Sequence, residues 1–172
     1  MKRIILFFCI FVLFLTSCQK ETTVYEGLPD ENISHWITHI DTVDIEGMEL
    51  YWQQSLYNYF PKFNDAKLSI YVTASQDDDG EWIWNDGHEW MLTLETSFGY
   101  YPLYSRGFIQ FGGLSCAAYV DYDDGTLRVL ITEEWGAGYY IHECTFDNDK
   151  DAFKIETIYE TKGSVSVITS VR

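Results

Sequence analysis

From Lys67 onward, short β-branched and aromatic runs alternate with turns rich in Asp and Gly, and this pattern restricts the fold more than any other feature. Branched and aromatic side chains favour strands because they pack well on a pleated surface. The clearest hairpin signal is Asp123-Asp124-Gly125, since glycine accepts the positive φ that a tight hairpin turn requires. The runs that we predict as strands are 68–73, 90–95, 108–111, 116–122, 126–132, 139–146, 153–159 and 165–171.

Strands at near-regular spacing, each followed by a turn, are typical of an antiparallel meander. We therefore predict a mainly β fold in which the meander forms a sandwich or a curved sheet. A partial propeller is a third alternative, because a weak repeat has a period of about 40 residues, the length of a propeller blade. Its two copies are Asp86-Gly87, Glu95 and Gly99-Tyr100-Tyr101, and then Asp124-Gly125, Glu133 and Gly138-Tyr139-Tyr140.

One segment has the spacing of a helix. Between Met48 and Phe60 the apolar residues lie mostly three or four positions apart, and Pro61 ends the pattern. This spacing predicts a short amphipathic helix of about three turns near the start of the domain, packed on a sheet face. The preceding segment, His35 to Glu46, alternates irregularly and fits either a strand or an extended arm.

The chain begins with a short cationic start and an apolar run. Lys2 and Arg3 precede an unbroken apolar segment from Ile4 to Leu15, and small residues follow it. A helix that stays in the bilayer needs about 20 apolar residues, and this run is shorter. We therefore predict a removable signal peptide over residues 1–17.

The end of that segment, Leu15-Thr16-Ser17-Cys18, resembles the lipobox of bacterial lipoproteins that are processed by the lipoprotein signal peptidase. The resemblance covers the first eighteen positions and implies that the thiol of Cys18 receives a diacylglyceryl group before cleavage. Two or more acyl chains give stable anchoring, at about 0.8 kcal/mol per buried methylene. We expect a lipid-anchored protein of the cell envelope, at the outer membrane, on either its periplasmic or its outer face.

Behind the anchor, residues 18–34 are polar and lack periodicity, so they are predicted to be a tether for a single β-rich domain over residues 35–172. Loss of the signal removes two of the 11 basic residues and leaves 9 against 27 acidic ones, a formal charge of −18. Such a surface repels phosphate backbones, which excludes nucleic acid as a partner. The membrane, through the lipid, and a glycan or an envelope protein are the partners that we expect.

Two cysteines remain in the mature domain, Cys116 and Cys144. A disulfide is chemically allowed outside the cytoplasm. In a simple meander, however, the strand predicted between them would hold them about 9–10 Å apart, beyond bridging range. We therefore favour two separate thiols, while a bridge would indicate strands that face each other across a sandwich.

The most acidic stretch, residues 76–89, is a candidate calcium loop because hard cations bind several oxygens from a flexible loop. Asp77 and Asp79 match two ligand positions of an EF-hand loop, and Asp86 replaces its final Glu. Ser75 occupies the first position, so the match is incomplete, and solvated hairpin turns are the simpler interpretation. The candidate metal ligands are Asp77, Asp79 and Asp86.

Aromatic side chains form the other candidate site. The chain has 6 Trp and 13 Tyr, and Trp82 and Trp84 would project from the same side of a strand. Exposed rings could stack against sugar rings, although most aromatics of a small β domain belong to its core. The candidate ligand-binding residues are Trp82, Trp84, Trp90 and Trp135.

No nucleophile motif, phosphate-binding loop or Cys-His signature occurs, so we predict a protein that is not an enzyme. Glu133 and Glu134 are adjacent in a predicted strand and would point to opposite faces, which prevents them from flanking one bond. The first hypothesis is a non-catalytic binding or accessory lipoprotein. The alternatives are an envelope hydrolase that acts on polysaccharide or cell wall through scattered carboxylates, and an inhibitor or structural lipoprotein without a small ligand.

Overall fold

The computed structural model describes residues 35–56, 65–84, 87–108, 112–121, 123–135 and 138–161, and these residues are mainly β-strand. Eleven strands are present in these ranges. They are β1 His35–Thr38, β2 Glu49–Ser55, β3 Lys67–Val72, β4 Ser75–Gln76, β5 Trp82–Ile83, β6 His88–Thr96, β7 Gly99–Phe108, β8 Gly113–Val120, β9 Leu127–Trp135, β10 Gly138–Asp147 and β11 Ala152–Glu160.

The long strands form two antiparallel sheets. One has five strands in the order β1-β11-β10-β9-β8, and the other has four in the order β2-β3-β6-β7. The two are joined at one side, where Ile40 and Tyr100 exchange both backbone hydrogen bonds at 2.9 and 2.8 Å. The short strands β4 and β5 form a separate hairpin. The predicted antiparallel β fold is therefore confirmed, and its sheets are arranged as a sandwich.

The core lies between the inner faces of the two sheets. Along β9, Leu127, Val129 and Ile131 are fully buried, while the residues between them are partly exposed, as the alternation of a strand requires. Tyr101 of β7 contacts Phe146 and Phe153 of the other sheet edge-on, with ring centroids 6.0 and 5.4 Å apart. Each buried aliphatic side chain contributes about 1.5–3 kcal/mol, so this interface is the main source of stability.

The helix predicted from Met48 to Phe60 is wrong over residues 49–55, which form the edge strand β2 instead. Every residue of β2 is exposed, so its three-and-four spacing does not correspond to a buried helical face. Hydrogen bonding to β3 decides the conformation, and a bulge between Leu50 and Trp52 breaks the strand's alternation. Residues 57–60 of that prediction lie outside the described residues.

The predicted strands otherwise agree well with the structure, except around β7. The sequence predicts only 108–111 there, whereas the strand extends from Gly99 to Phe108, and residues 109–111 lie outside the described residues. Pro102 interrupts its β-branched and aromatic pattern, because proline cannot donate to a sheet ladder. In the structure, Pro102 lies beside a bulge between Leu92 and Thr93 at the edge of its sheet, where proline is tolerated.

Glu95 and Gly99-Tyr100-Tyr101 of the weak repeat belong to the β6–β7 hairpin, and Glu133 and Gly138-Tyr139-Tyr140 belong to the β9–β10 hairpin of the other sheet, while Asp86 lies outside the described residues. Their registers differ by one residue, because Glu95 pairs with Tyr100 whereas Glu133 pairs with Tyr140. The repeated residues therefore do not have equivalent positions. The two sheets face each other across one core, which differs from the radial blades of a propeller.

Cys116 and Cys144 are both free, as the meander predicted, because β9 lies between their strands. Burial raises the pKa of each thiol to about 12, so neither is a reactive thiolate at neutral pH. The predicted signal peptide, Cys18, the tether over 18–34 and the strand over 165–171 lie outside the described residues. Within the described ranges, no helix is both long enough and apolar enough to cross a bilayer.

The junction between the sheets provides a test of this fold. Gly99 has a φ of +138°, and a Cβ added there would collide with the carbonyl oxygen of Ile40 and lie 2.6 Å from Nε2 of His39. Gly125 also has a positive φ, of +70°, but has nothing within 4 Å of its added Cβ. We expect Gly99→Ala to lower the free energy of unfolding by about 3 kcal/mol and Gly125→Ala by about 1 kcal/mol in urea titrations. Equal losses would contradict the close approach at Gly99.

Candidate functional site

The β4–β5 hairpin is fixed by a turn that Asp77 organises. One carboxylate oxygen of Asp77 accepts hydrogen bonds from the backbone N–H groups of Asp79 and Glu81, both at 2.9 Å. Gly80 supplies the positive φ of +82° that closes the turn. The hairpin therefore presents Trp82, and Trp84 just after it, in a defined orientation.

Trp82 and Trp84 converge with Trp90 of β6 in a cluster of rings. Trp84 stacks on Trp90 with ring centroids 5.2 Å apart and planes 3° from parallel. The ring of Trp82 lies 6.0 Å from that of Trp84 at a tilt of 33°. The rings of Trp82 and Trp84 are neighbours, although the strand ends at Ile83 and Trp84 follows it, and Trp90 forms their base.

Tyr51 completes this cluster from the edge strand β2. Its ring lies 5.2, 5.8 and 5.0 Å from the rings of Trp82, Trp84 and Trp90. Tyr51 occupies the bulge of β2, and a bulge can redirect a side chain that regular pairing would send elsewhere. We call these four side chains the aromatic patch. The sequence did not identify Tyr51 as part of a site because its segment was interpreted as a helix.

The aromatic patch has a buried base and an exposed rim. Trp90 is 5% exposed, whereas Trp84 is 42% and Tyr51 39% exposed. Phe108 contacts the base residue Trp90 edge-on, and His88 contacts the rim residue Trp84 edge-on. The patch therefore lies at the end of the sandwich where β6 begins and β7 ends. A rigid base with exposed rings above it is a preformed surface for a flat apolar ligand.

Two of the other predicted site residues cannot be placed. Trp135 ends β9, but its side chain lies outside the described residues, as does Asp86. An oxygen of Asp77 is engaged by the turn of its own hairpin. Among the residues that the structure describes, no group of three His, Cys, Asp or Glu is arranged to hold a metal ion. Calcium binding by Asp77, Asp79 and Asp86 therefore stays a prediction.

A second cluster, which the sequence did not predict, is buried between the sheets. Glu133 of β9 is fully buried, and Arg106 of β7 approaches it to 2.6 Å, from Nη1 to Oε1. The hydroxyl of Tyr104 donates to its other oxygen at 2.5 Å. His142 of β10 stacks on Tyr104 at 4.9 Å and places Nε2 3.6 Å from the same oxygen. The cluster joins one strand of the four-stranded sheet to two strands of the five-stranded sheet.

The cluster keeps Glu133 ionised. Burial by itself raises the pKa of Glu133, but the polar contacts from His142 and Tyr104 and the charge of Arg106 hold the pKa below its ordinary value of 4.5. Burial and the hydrogen bond to Glu133 raise the pKa of Tyr104, so its phenol stays protonated. A carboxylate that is buried, ionised and neutralised by Arg106 is suited to joining the sheets rather than to donating a proton to a substrate.

Glu133 and Glu134 have opposite environments, as their adjacency predicts. Glu133 is buried between the sheets, and Glu134 is exposed on the outer face of β9. They therefore do not form a paired-carboxylate site. A sequence signal for the buried cluster did exist, because alternation along β9 places Glu133 in line with the apolar Leu127, Val129 and Ile131.

Comparison of this chain with protein-family models, with curated proteins and with solved structures finds no match. The function has to be inferred from the aromatic patch and the buried cluster themselves.

The buried cluster has a surface counterpart that serves as a control. Glu143 also contacts a tyrosine and an arginine, Tyr119 at 2.6 Å and Arg128 at 3.6 Å, but on the outer face. We expect Glu133→Gln to cost about 3 kcal/mol of unfolding free energy at pH 7, because it leaves the half-buried Arg106, whose Nη1 is buried, without its counter-charge. Glu143→Gln should cost less than about 1 kcal/mol, since exposed ion pairs contribute little.

The stabilisation that Glu133 provides depends on pH in a definite direction. The pKa of Glu133 is lower in the folded than in the unfolded protein, so its stabilisation is complete above about pH 5 and is lost as the pH falls through the folded value. Urea titrations at pH 7 and at pH 4 should therefore show a smaller acid-induced loss in Glu133→Gln than in the wild type. Identical losses in the two proteins would contradict an ionised Glu133.

Proposed function

We propose that this protein is a lipid-anchored, non-catalytic component of the cell envelope that binds carbohydrate on its aromatic patch. The observation that carries the proposal is the exposed ring of Trp84, held parallel to Trp90 at 5.2 Å and flanked by Trp82 and Tyr51. Large exposed aromatic groups with a buried base are typical of recognition surfaces.

The chemistry of a sugar ring suits this surface. The axial C–H groups of a pyranose form a flat apolar face, which an indole covers while the hydroxyl groups at the rim stay in water. Because the rings already contact one another, they lose little conformational freedom when a ligand binds. The several rings of the patch also provide contact area for more than one sugar unit.

The anchor accounts for where such a surface would act. The signal-like residues 1–17 and the lipobox at Cys18 support attachment to the outer membrane, and the polar residues 18–34 would hold the domain away from the lipid. A formal charge of −18 in the mature chain keeps the domain from lying against anionic lipid headgroups. The domain would thus be presented to envelope or external glycans while the lipid retains it.

Removal of Trp84 tests the binding surface. We expect Trp84→Ala to weaken binding to soluble β-linked oligosaccharides at least ten-fold, which corresponds to about 1.4 kcal/mol, in isothermal titration calorimetry. Phe98→Ala is the matched control, because Phe98 is a 75% exposed aromatic in the β6–β7 turn, outside the patch. Equal affinity in Trp84→Ala and Phe98→Ala, or no oligosaccharide binding by the wild type, would contradict the proposal.

Removal of Cys18 tests the anchor. The mature wild-type protein should fractionate with membranes and carry acyl mass on its N-terminal cysteine, as read by mass spectrometry. Cys18→Ser should carry no acyl mass, because the thiol is the acceptor of the lipid, and should keep residues 1–17, because cleavage follows lipidation. Cys144→Ser is the matched control and should keep the lipid. An N-terminus of the mature wild-type protein at another residue, or acyl mass that survives Cys18→Ser, would refute lipidation at this residue.

A further inference from the structure

The described segments that build the aromatic patch carry acidic side chains and no basic ones. These segments, residues 49–55, 72–84 and 87–91, contain no Lys or Arg. Their acidic side chains are all exposed, and each lies close in sequence to a ring of the patch or in the turn of its hairpin. These side chains are Glu49, Asp77, Asp78, Asp79, Glu81 and Glu89.

The basic side chains that the structure describes are used elsewhere. Arg106 is paired with the buried Glu133, and Arg128 lies near Glu143. Lys150 and Lys154 are paired with Asp147 and Glu156. The remaining described cation, Lys67, is at the start of β3. Val72, which pairs with Trp90, is at the other end of that strand. Arg106 is the described cation nearest the patch, because it lies opposite to Trp90 in the β6–β7 ladder, and its charge is paired with the buried Glu133.

A ligand with a positive charge gains from both features of this surface. Carboxylates that lie one or two residues from the rings are within the Debye length, about 8–10 Å, so their potential reaches a ligand seated there even from a neighbouring face. An ammonium group over the face of a Trp is attracted by the ring quadrupole, and Trp is the strongest of the aromatic partners. An anionic sugar, in contrast, would be repelled.

One buried polar group at the base of the patch has no hydrogen-bond partner among the described residues. The indole N–H of Trp90, a residue only 5% exposed, has no hydrogen-bond acceptor within the described part of the chain. Buried donors are satisfied in most folded proteins, and an exception calls for an explanation. An acceptor supplied by a ligand at the patch, such as a sugar hydroxyl, would provide one.

We propose that the carbohydrate bound at the aromatic patch is a cationic one, an oligosaccharide of amino sugars whose amines are free rather than acetylated. This inference rests on the proposed carbohydrate binding and adds its ligand class. The sugar faces stack on Trp82, Trp84 and Tyr51, and the ammonium groups lie in the field of the surrounding carboxylates. The high negative charge of the chain then contributes to ligand selection as well as to solubility.

The test compares three oligosaccharides of equal length on the whole mature protein by calorimetry: glucosamine oligomers, N-acetylglucosamine oligomers and oligogalacturonates. We expect the glucosamine oligomers to bind at least ten-fold more tightly than the N-acetylated ones at low salt, with no binding of the galacturonates. The difference should shrink as the salt concentration rises, because the charges are exposed.

Matched charge variants locate the effect. Glu49→Gln with Glu81→Gln should reduce the preference for the free amine at least three-fold and leave the binding of N-acetylated oligomers unchanged. Asp123→Asn with Asp149→Asn removes the same charge from the turns at the far end of the sandwich, and should leave the preference intact. If both pairs reduced it equally, net charge alone would explain the effect and the inference would be overturned.

The outcomes separate the two proposals. Equal affinity for free and acetylated amines would overturn the cationic preference but support carbohydrate binding. Failure of all three oligosaccharides, with the protein folded as judged by near-ultraviolet circular dichroism, would overturn the proposed function. Equally tight binding of a short lysine peptide would assign the patch to basic polypeptides, and would also overturn the carbohydrate proposal.

Discussion

The carboxylate of Glu133 is the interaction on which the arrangement of the two sheets depends. It is fully buried on β9, and its partners Tyr104 and Arg106 belong to β7 of the opposite sheet. Moving a charge from water into the interior of a protein costs several kcal/mol. The buried carboxylate is therefore stable only while the packing of the two sheets keeps Tyr104 and Arg106 beside it. Arg106 also pairs with Trp90 across the β6–β7 ladder. The buried cluster and the base of the aromatic patch therefore share one pair of strands.

The same chemistry recurs throughout this acidic domain, because phenols take the place of the scarce cations. Tyr71, Tyr101, Tyr104 and Tyr119 each donate to a carboxylate, respectively Glu95, Asp151, Glu133 and Glu143. Burial and these carboxylates raise the pKa of Tyr101 to about 12 and that of Tyr71 further. A hydrogen bond from a neutral donor satisfies a carboxylate without removing its charge. The surface thus stays negative, and the proposed preference for cationic ligands rests on this property.

Local sequence patterns predict only part of the aromatic patch. Trp82 and Trp84 were predictable as neighbours, since alternate residues of a strand share a face. Tyr51 was not, because a bulge in β2 directs its ring, and bulges depend on the partner strand as much as on the strand itself. The bulge also places the neighbouring apolar residues Tyr51 and Trp52 out of the two-residue alternation of a regular strand. Hydrogen bonding to β3 makes residues 49–55 a strand in spite of their helix-like spacing. This pairing exists only in the folded sheet and cannot be seen in the segment alone.

By itself, the sequence determined that the domain is antiparallel β and where most of its hairpin turns lie. It also determined that a strand separates Cys116 from Cys144, and that the adjacent Glu133 and Glu134 point to opposite faces. These properties follow from residue type and from the two-residue period of a strand, which are local. Only the tertiary structure decided which strands share a sheet, that Glu133 is neutralised by Arg106, and that Tyr51 joins the tryptophans. Those contacts join residues far apart in the chain, so they depend on how the two sheets pack and not on the pattern within any one segment.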